Sequence, residues 1–148
     1  FDMTIGYYDP VPKEGVLYRS YPSAKALAED VDILFLSAAG GQSGDHIVTT
    51  EILKALGPKG VFVNIARGWL VDEIALVDAL KTGRIGAAGL DVFEDEPNVP
   101  KALLEMDNVV LTPHIASNTN ETVKAMGDCV LDNVRSWFSG RGAVTPIA

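Results

Sequence analysis

The sequence predicts an α/β fold with a doubly wound parallel sheet, and three observations carry that expectation. Dense apolar runs of strand length alternate with amphipathic stretches of helical period. The segments between the runs are long enough for the helical crossovers that parallel strands require. Polar clusters follow the runs, and in such sheets ligands bind beyond the carboxyl ends of the strands.

Residues 3–8 read as a strand and 16–21 as a second, weaker one. Ser23 can cap a short helix through Glu29, because its hydroxyl can accept from a free backbone N–H of the first turn. Residues 31–37 form an apolar run dense enough to read as a strand buried on both faces. Thr50–Leu56 is helical and stops at Gly57-Pro58. Residues 60–65 read as another buried strand. Asp72 is placed to cap the next helix, and Glu73 favours the dipole of its first turn. That helix runs through Ala75, Leu76, Ala79 and Leu80 and ends at Gly83. Residues 85–92 and Val109–Leu111 are the last two strands, and residues 121–138 form a long amphipathic helix ending at Gly140.

The chain of 148 residues can bury one domain core, and 47% hydrophobic with 22% charged residues is an ordinary globular composition. Twelve basic against 20 acidic residues give a net charge of −8, which repels a phosphate backbone and argues against nucleic acid as partner. No apolar run reaches the roughly 18 residues of a membrane span, so no membrane partner is expected. The one cysteine, Cys129, has no internal partner and reads as a small buried hydrophobe. Its thiol suits a reducing compartment, and the expectation is cytoplasmic. No metal site is expected.

Three residues stand where chemistry is placed. Arg67 follows the run at 60–65, in Asn64-Ile65-Ala66-Arg67-Gly68. A planar guanidinium there can hold a carboxylate by two parallel hydrogen bonds, although a lone arginine is more often half of a surface ion pair. Glu96 lies just past the run at 85–92, in Glu94-Asp95-Glu96-Pro97, where a solvated acidic loop is the plain alternative. His114 follows the last run, in Thr112-Pro113-His114-Ile115-Ala116-Ser117, and a lone histidine is more often structural. Together the three gather at one sheet edge. A carboxylate beside an imidazole orients the ring and favours its charged form, which can protonate an oxyanion as hydride reaches a carbonyl carbon.

At this point the sequence resembles a known family. Asn64-Ile65-Ala66-Arg67-Gly68, Val71-Asp72-Glu73, Ala75-Leu76, Ala79-Leu80 and Gly83-Arg84-Ile85 are similar to the long signature of the D-isomer-specific 2-hydroxyacid dehydrogenases. Gly89-Leu90-Asp91-Val92-Phe93-Glu94 with Glu96-Pro97, and Pro113-His114-Ile115-Ala116-Ser117, resemble the remaining signatures in the same order. The resemblance implies a Rossmann-like nucleotide domain and interconversion of a small 2-keto acid with its D-2-hydroxy acid, using NAD or NADP. It implies that Arg67 binds the substrate carboxylate and carbonyl, that His114 is the general acid in reduction, and that Glu96 is its partner. Asp91 is implied to accept from the nicotinamide carboxamide, and Ala38, Ala66, Arg67, His114 and Ala116 to line the cofactor. Asp9 falls where relatives read the adenosine ribose. A carboxylate there repels a 2′-phosphate and favours NAD, with NADP kept open by Arg19; a turn-forming Asp-Pro pair is the plain reading.

Two features depart from the family pattern. The G-x-G-x-x-G loop belongs about 20 residues before the ribose-reading acid, whereas eight residues precede Asp9 here. Residues 1–148 are therefore expected to be a partial dinucleotide-binding domain, lacking the first strand, glycine loop and first helix, with the helix at 121–138 returning to an absent substrate domain. The loop Ser37-Ala38-Ala39-Gly40-Gly41 replaces a proline frequent in relatives, and small residues there let backbone approach the cofactor. The resemblance is strongest to glyoxylate or hydroxypyruvate reductases, and the full-length protein is expected to be a homodimer. The rival readings are an NAD-sensing corepressor-like binding module and a fragment inactive by itself.

Overall fold

The computed structural model describes residues 2–11, 13–38 and 46–146. It divides into two compact units, Phe1–His114 and Ile115–Ala148.

In the first unit, β1 (Gly6–Tyr7) pairs in parallel with β2 (Arg19–Ser20) as a small sheet of its own. The main sheet holds β3 (Ile33–Leu36), β4 (Val61–Asn64), β5 (Ala87–Leu90) and β6 (Val109–Leu111), all parallel and in that spatial order. Helices α1 (Ala24–Ala28), α2 (Thr50–Leu56), α3 (Glu73–Lys81) and α4 (Lys101–Leu104) make the connections, with a 3₁₀ turn at Gly68–Leu70. The α/β parallel architecture read from the sequence is the one observed.

Local chemistry explains the boundaries. Ser23 Oγ accepts from Ala26 N at 3.1 Å and starts α1. Asp72 Oδ1 accepts from Ala75 N at 2.9 Å and starts α3. Gly57, with φ of 79°, closes α2 in the left-handed region that glycine tolerates without a Cβ clash.

The core forms on one face of the sheet. Leu34, Phe62 and Ala88 share a register row, as do Leu36, Asn64 and Leu90. They are buried against Leu53, Leu56, Leu76, Leu80 and Leu103 from the helices. The opposite face is open: Ile33 is 38% exposed, Phe35 55% and Val110 69%. The expectation that residues 31–37 are buried on both faces is therefore wrong. Successive side chains of a strand point to opposite faces, and only the Leu34 and Leu36 face is covered among the described residues. The strand at 60–65 likewise alternates, with Phe62 and Asn64 inside and Val61 and Val63 half-buried.

The second unit is built on α5 (Asn120–Phe138), started by Thr119, whose hydroxyl accepts from Thr122 N at 3.2 Å. Asn133 Oδ1 accepts from Val144 N at 3.0 Å and Thr145 N at 3.1 Å, which ties the following segment back along the helix. Cys129, expected to be buried, is exposed, because it stands on a helix most of whose residues face solvent.

Candidate active site

Because β3 to β6 are parallel, their carboxyl ends lie at one edge of the sheet. Ser37 and Ala38 follow β3, Ile65 to Gly68 follow β4, Asp91 to Glu96 follow β5, and Thr112 to His114 follow β6. Backbone bonds hold these exits in line: Asp91 N donates to Asn64 O at 3.0 Å, and Thr112 N to Leu90 O at 2.9 Å.

An imidazole–carboxylate contact is formed at this edge. His114 Nδ1 lies 2.8 Å from Glu96 Oε2, with the two side chains 45% and 35% exposed. Glu96 Oε1 accepts from Phe93 N at 3.1 Å, so the carboxylate is fixed at both oxygens. The hydrogen bond from His114 holds the Glu96 carboxyl below the usual carboxylate range, helped by the Phe93 amide and by the positive charge of Arg67. With Nδ1–H donating to Glu96, Nε2 is the ring atom left to exchange a proton with a ligand. His114 itself sits at φ of +54°, a left-handed conformation uncommon for a residue with a Cβ.

Arg67 is exposed at the end of β4, and its Nη1 donates to Ala66 O at 2.7 Å. Its influence on Glu96 places its charge within electrostatic reach of the pair. Ala66 is buried at the foot of the loop and Asp91 at the foot of the next, where Asp91 Oδ1 accepts from Thr112 Oγ1 at 2.5 Å. Asp9 and Ala38 line a common cleft of about 590 Å³, walled by apolar groups such as Leu27, Leu36 and Ile52. Asp9 Oδ1 accepts from Val11 N at 2.8 Å, and this bond, aided by Lys13 3.2 Å from Oδ2, holds its carboxyl below the ordinary value. Ala116 is exposed in the second unit. Positions 39–41 of the small-residue loop lie outside the described residues.

Several structural contributors were not singled out from the sequence. Thr112 holds Asp91, and its only sequence signal is a hydroxyl residue directly after a strand. Gly68 meets the backbone of the Glu96 loop: an added Cβ would lie 1.9 Å from Phe93 C and O and 2.4 Å from Glu94 N. The loops carrying Arg67 and Glu96 are thus packed backbone to backbone. Gly68→Ala is expected to destabilise the full-length protein by at least about 2 kcal/mol, as overpacking against rigid main chain does. Denaturant unfolding checks this; a midpoint equal to wild type would mean that the two loops can separate at no cost.

A parallel α/β sheet with an imidazole–carboxylate pair and a guanidinium at its carboxyl edge has its polar side chains where doubly wound nucleotide-binding folds place their ligands. The comparisons agree. The family model "D-isomer specific 2-hydroxyacid dehydrogenase, NAD binding domain" matches residues 1–116, and the chain belongs to this family. It is 46% identical over 147 residues to glyoxylate/hydroxypyruvate reductase A of Arabidopsis thaliana, covering 99% of this chain and 47% of that protein. It is 47% identical to hydroxyphenylpyruvate reductase of Plectranthus scutellarioides, with the same coverage of 99% and 47%. Among solved structures, the NADPH-dependent glyoxylate/hydroxypyruvate reductase of Sinorhizobium meliloti, in complex with NADP and malonate, matches at a TM-score of 0.91 and 48% identity, over 99% of this chain and 46% of that one. The chain thus spans about half the length of these relatives.

Proposed function

We propose that the full-length protein reduces a small 2-keto acid to the D-2-hydroxy acid with a nicotinamide cofactor, and catalyses the reverse. The observation that carries this reading is the His114–Glu96 pair at 2.8 Å on the sheet edge that also carries Arg67. The relatives named as glyoxylate, hydroxypyruvate and hydroxyphenylpyruvate reductases support the substrate class.

The residues present fit parts of a nicotinamide dinucleotide, its ribose and its base, and the phosphate-binding glycine loop is expected from the rest of the full-length protein. The cleft is largely apolar, as a flat base requires, and has an ionised Asp9 carboxylate at its rim to accept from ribose hydroxyls. Asp9 and Ala38 would hold the adenosine part, and Ala66, Arg67, Asp91 and His114 the nicotinamide end. When bound, the reduced cofactor supplies the hydride that the protein's own side chains cannot. Arg67 holds the substrate carboxylate through its fork and polarises the carbonyl. His114 Nε2 delivers a proton to the carbonyl oxygen as negative charge develops there. Glu96 keeps the ring oriented and balances its charge. In oxidation the neutral ring takes the proton back from the hydroxyl.

Asp9 favours NAD, since a carboxylate repels a 2′-phosphate; Lys13 beside it offsets part of that repulsion. Steady-state kinetics of the full-length protein on glyoxylate and hydroxypyruvate, with NADH and with NADPH, test the reading. The expected result is reduction of both acids with kcat/KM higher for NADH, and a narrower cofactor ratio in Asp9→Ser. No turnover of any 2-keto acid would overturn the function, and a wild-type preference for NADPH would overturn the role of Asp9. The reading assigns these residues to the nucleotide half of the enzyme, with α5 leading to its substrate domain, and the protein acting as a homodimer.

A further inference from the structure

Asn64 is the one polar side chain among the largest fully buried groups of the core, at 2% exposure. It ends β4, three residues before Arg67. Its Oδ1 accepts from Ala66 N at 3.0 Å, and its Nδ2 donates to Arg67 O at 3.1 Å. One amide therefore grips the peptide groups on either side of the Ala66–Arg67 peptide, in the turn that presents the arginine. Its backbone oxygen accepts from Asp91 N at 3.0 Å, so the same residue joins the Arg67 loop to the Asp91 loop. Arg67 Nη1 in turn donates to Ala66 O at 2.7 Å, so the guanidinium rests on the Ala66–Arg67 peptide, which lies between the two peptide groups that Asn64 bonds.

From this geometry we infer that Asn64 is a positioning residue for substrate, setting the direction of the Arg67 guanidinium through the Ala66–Arg67 turn. The inference rests on the proposed role of Arg67 as the carboxylate clamp. Chemistry selects asparagine here. The site needs one acceptor, for Ala66 N, and one donor, for Arg67 O, on a side chain short enough to reach two and three residues along the chain. Aspartate supplies the acceptor and, when ionised, sets a negative oxygen against the Arg67 carbonyl. Leucine or alanine supplies neither group and leaves the buried Ala66 N–H without its acceptor. Arg67 O also accepts from Leu70 N at 3.4 Å, a longer bond that fixes the turn from the other side but does not reach Ala66.

The test is a double-mutant cycle in the full-length protein, with Asn64→Asp and Asn64→Ala each made alone and with Arg67→Ala. Two quantities are read: kcat/KM for 2-keto acid reduction, and competitive inhibition by oxalate, a small dicarboxylate that cannot be reduced. Cofactor binding by titration reports the fold. The expected result is that each Asn64 variant binds cofactor and loses at least about tenfold in kcat/KM, mostly in KM, with a matching rise in the oxalate inhibition constant. In the Arg67→Ala background the same substitutions should change both quantities by less than about threefold, because the group they misdirect is gone. Equal losses in both backgrounds, or wild-type values in both Asn64 variants, would overturn the inference while leaving Arg67 as the clamp. Loss of cofactor binding in both variants would also overturn it, making Asn64 a residue of the fold. Wild-type kinetics in Arg67→Ala alone would instead remove Arg67 from the site, and the inference with it.

Discussion

Replacing His114 by alanine is expected to lower kcat for 2-keto acid reduction by about 100- to 10,000-fold, the usual contribution of a positioned general acid. That range corresponds to about 2.7–5.5 kcal/mol of transition-state stabilisation. Binding of reduced cofactor should change little, because the loss falls on the proton-transfer step. The pH dependence adds a sharper signature. Reduction needs a proton on the His114–Glu96 pair and oxidation needs it absent. The rate of reduction therefore falls as pH rises through the loss of that proton, and oxidation rises over the same interval. The His114 hydrogen bond holds the Glu96 carboxyl below its ordinary value, which favours the charged carboxylate. Its charge favours retention of the proton, so in Glu96→Gln the fall in reduction should move to lower pH. Stopped-flow measurement of the chemical step across pH checks both variants. An unchanged profile in Glu96→Gln would separate the carboxylate from the acid–base chemistry.

Arg67 carries the second large effect. Two hydrogen bonds to a carboxylate at about 1.5–3 kcal/mol each make Arg67→Ala an expected loss of about 3–6 kcal/mol, or roughly 150- to 25,000-fold in kcat/KM. Arg67→Lys keeps the charge and loses the fork, and should still cost at least about tenfold, near 1.4 kcal/mol. The loss in Lys should fall mainly on kcat, since a point charge still attracts the carboxylate but no longer fixes the carbonyl. Steady-state kinetics with a 2-keto acid decide it, and near-wild-type values for Arg67→Lys would reduce the side chain to a general positive charge.

Much of this was legible in the sequence because the governing interactions are local. Ser23 and Asp72 stop the chain from being anything but a helix start at those points, and the caps form as the residue types require. The helix Thr50–Leu56 ends where Gly57-Pro58 cannot continue it. The gathering of Arg67, Glu96 and His114 followed from one topological fact, that each follows its own parallel strand. What was not legible depends on distant or very short features. A run such as residues 31–37 has the same composition whether one face is covered or two, so the exposure of Ile33 and Phe35 was invisible. Helix α4 is one turn long and shows no period, and the 3₁₀ turn at Gly68–Leu70 is shorter still. The left-handed φ of His114 has no glycine or asparagine to announce it. Cys129 was read by the habit of its residue type, while its place on α5 leaves it exposed.

In the proposed reaction hydride reaches a 2-keto acid at this sheet edge and His114 protonates the carbonyl oxygen. The most direct measurement uses the full-length protein, a 2-keto acid such as glyoxylate or hydroxypyruvate, and reduced cofactor carrying deuterium at both C4 positions of the nicotinamide. Deuterium is expected at C2 of the product hydroxy acid, the chiral product from hydroxypyruvate is expected to be the D isomer, and His114→Ala should suppress this transfer while still binding cofactor. Product without deuterium at C2, an L product, or undiminished transfer in His114→Ala would contradict the proposed reaction.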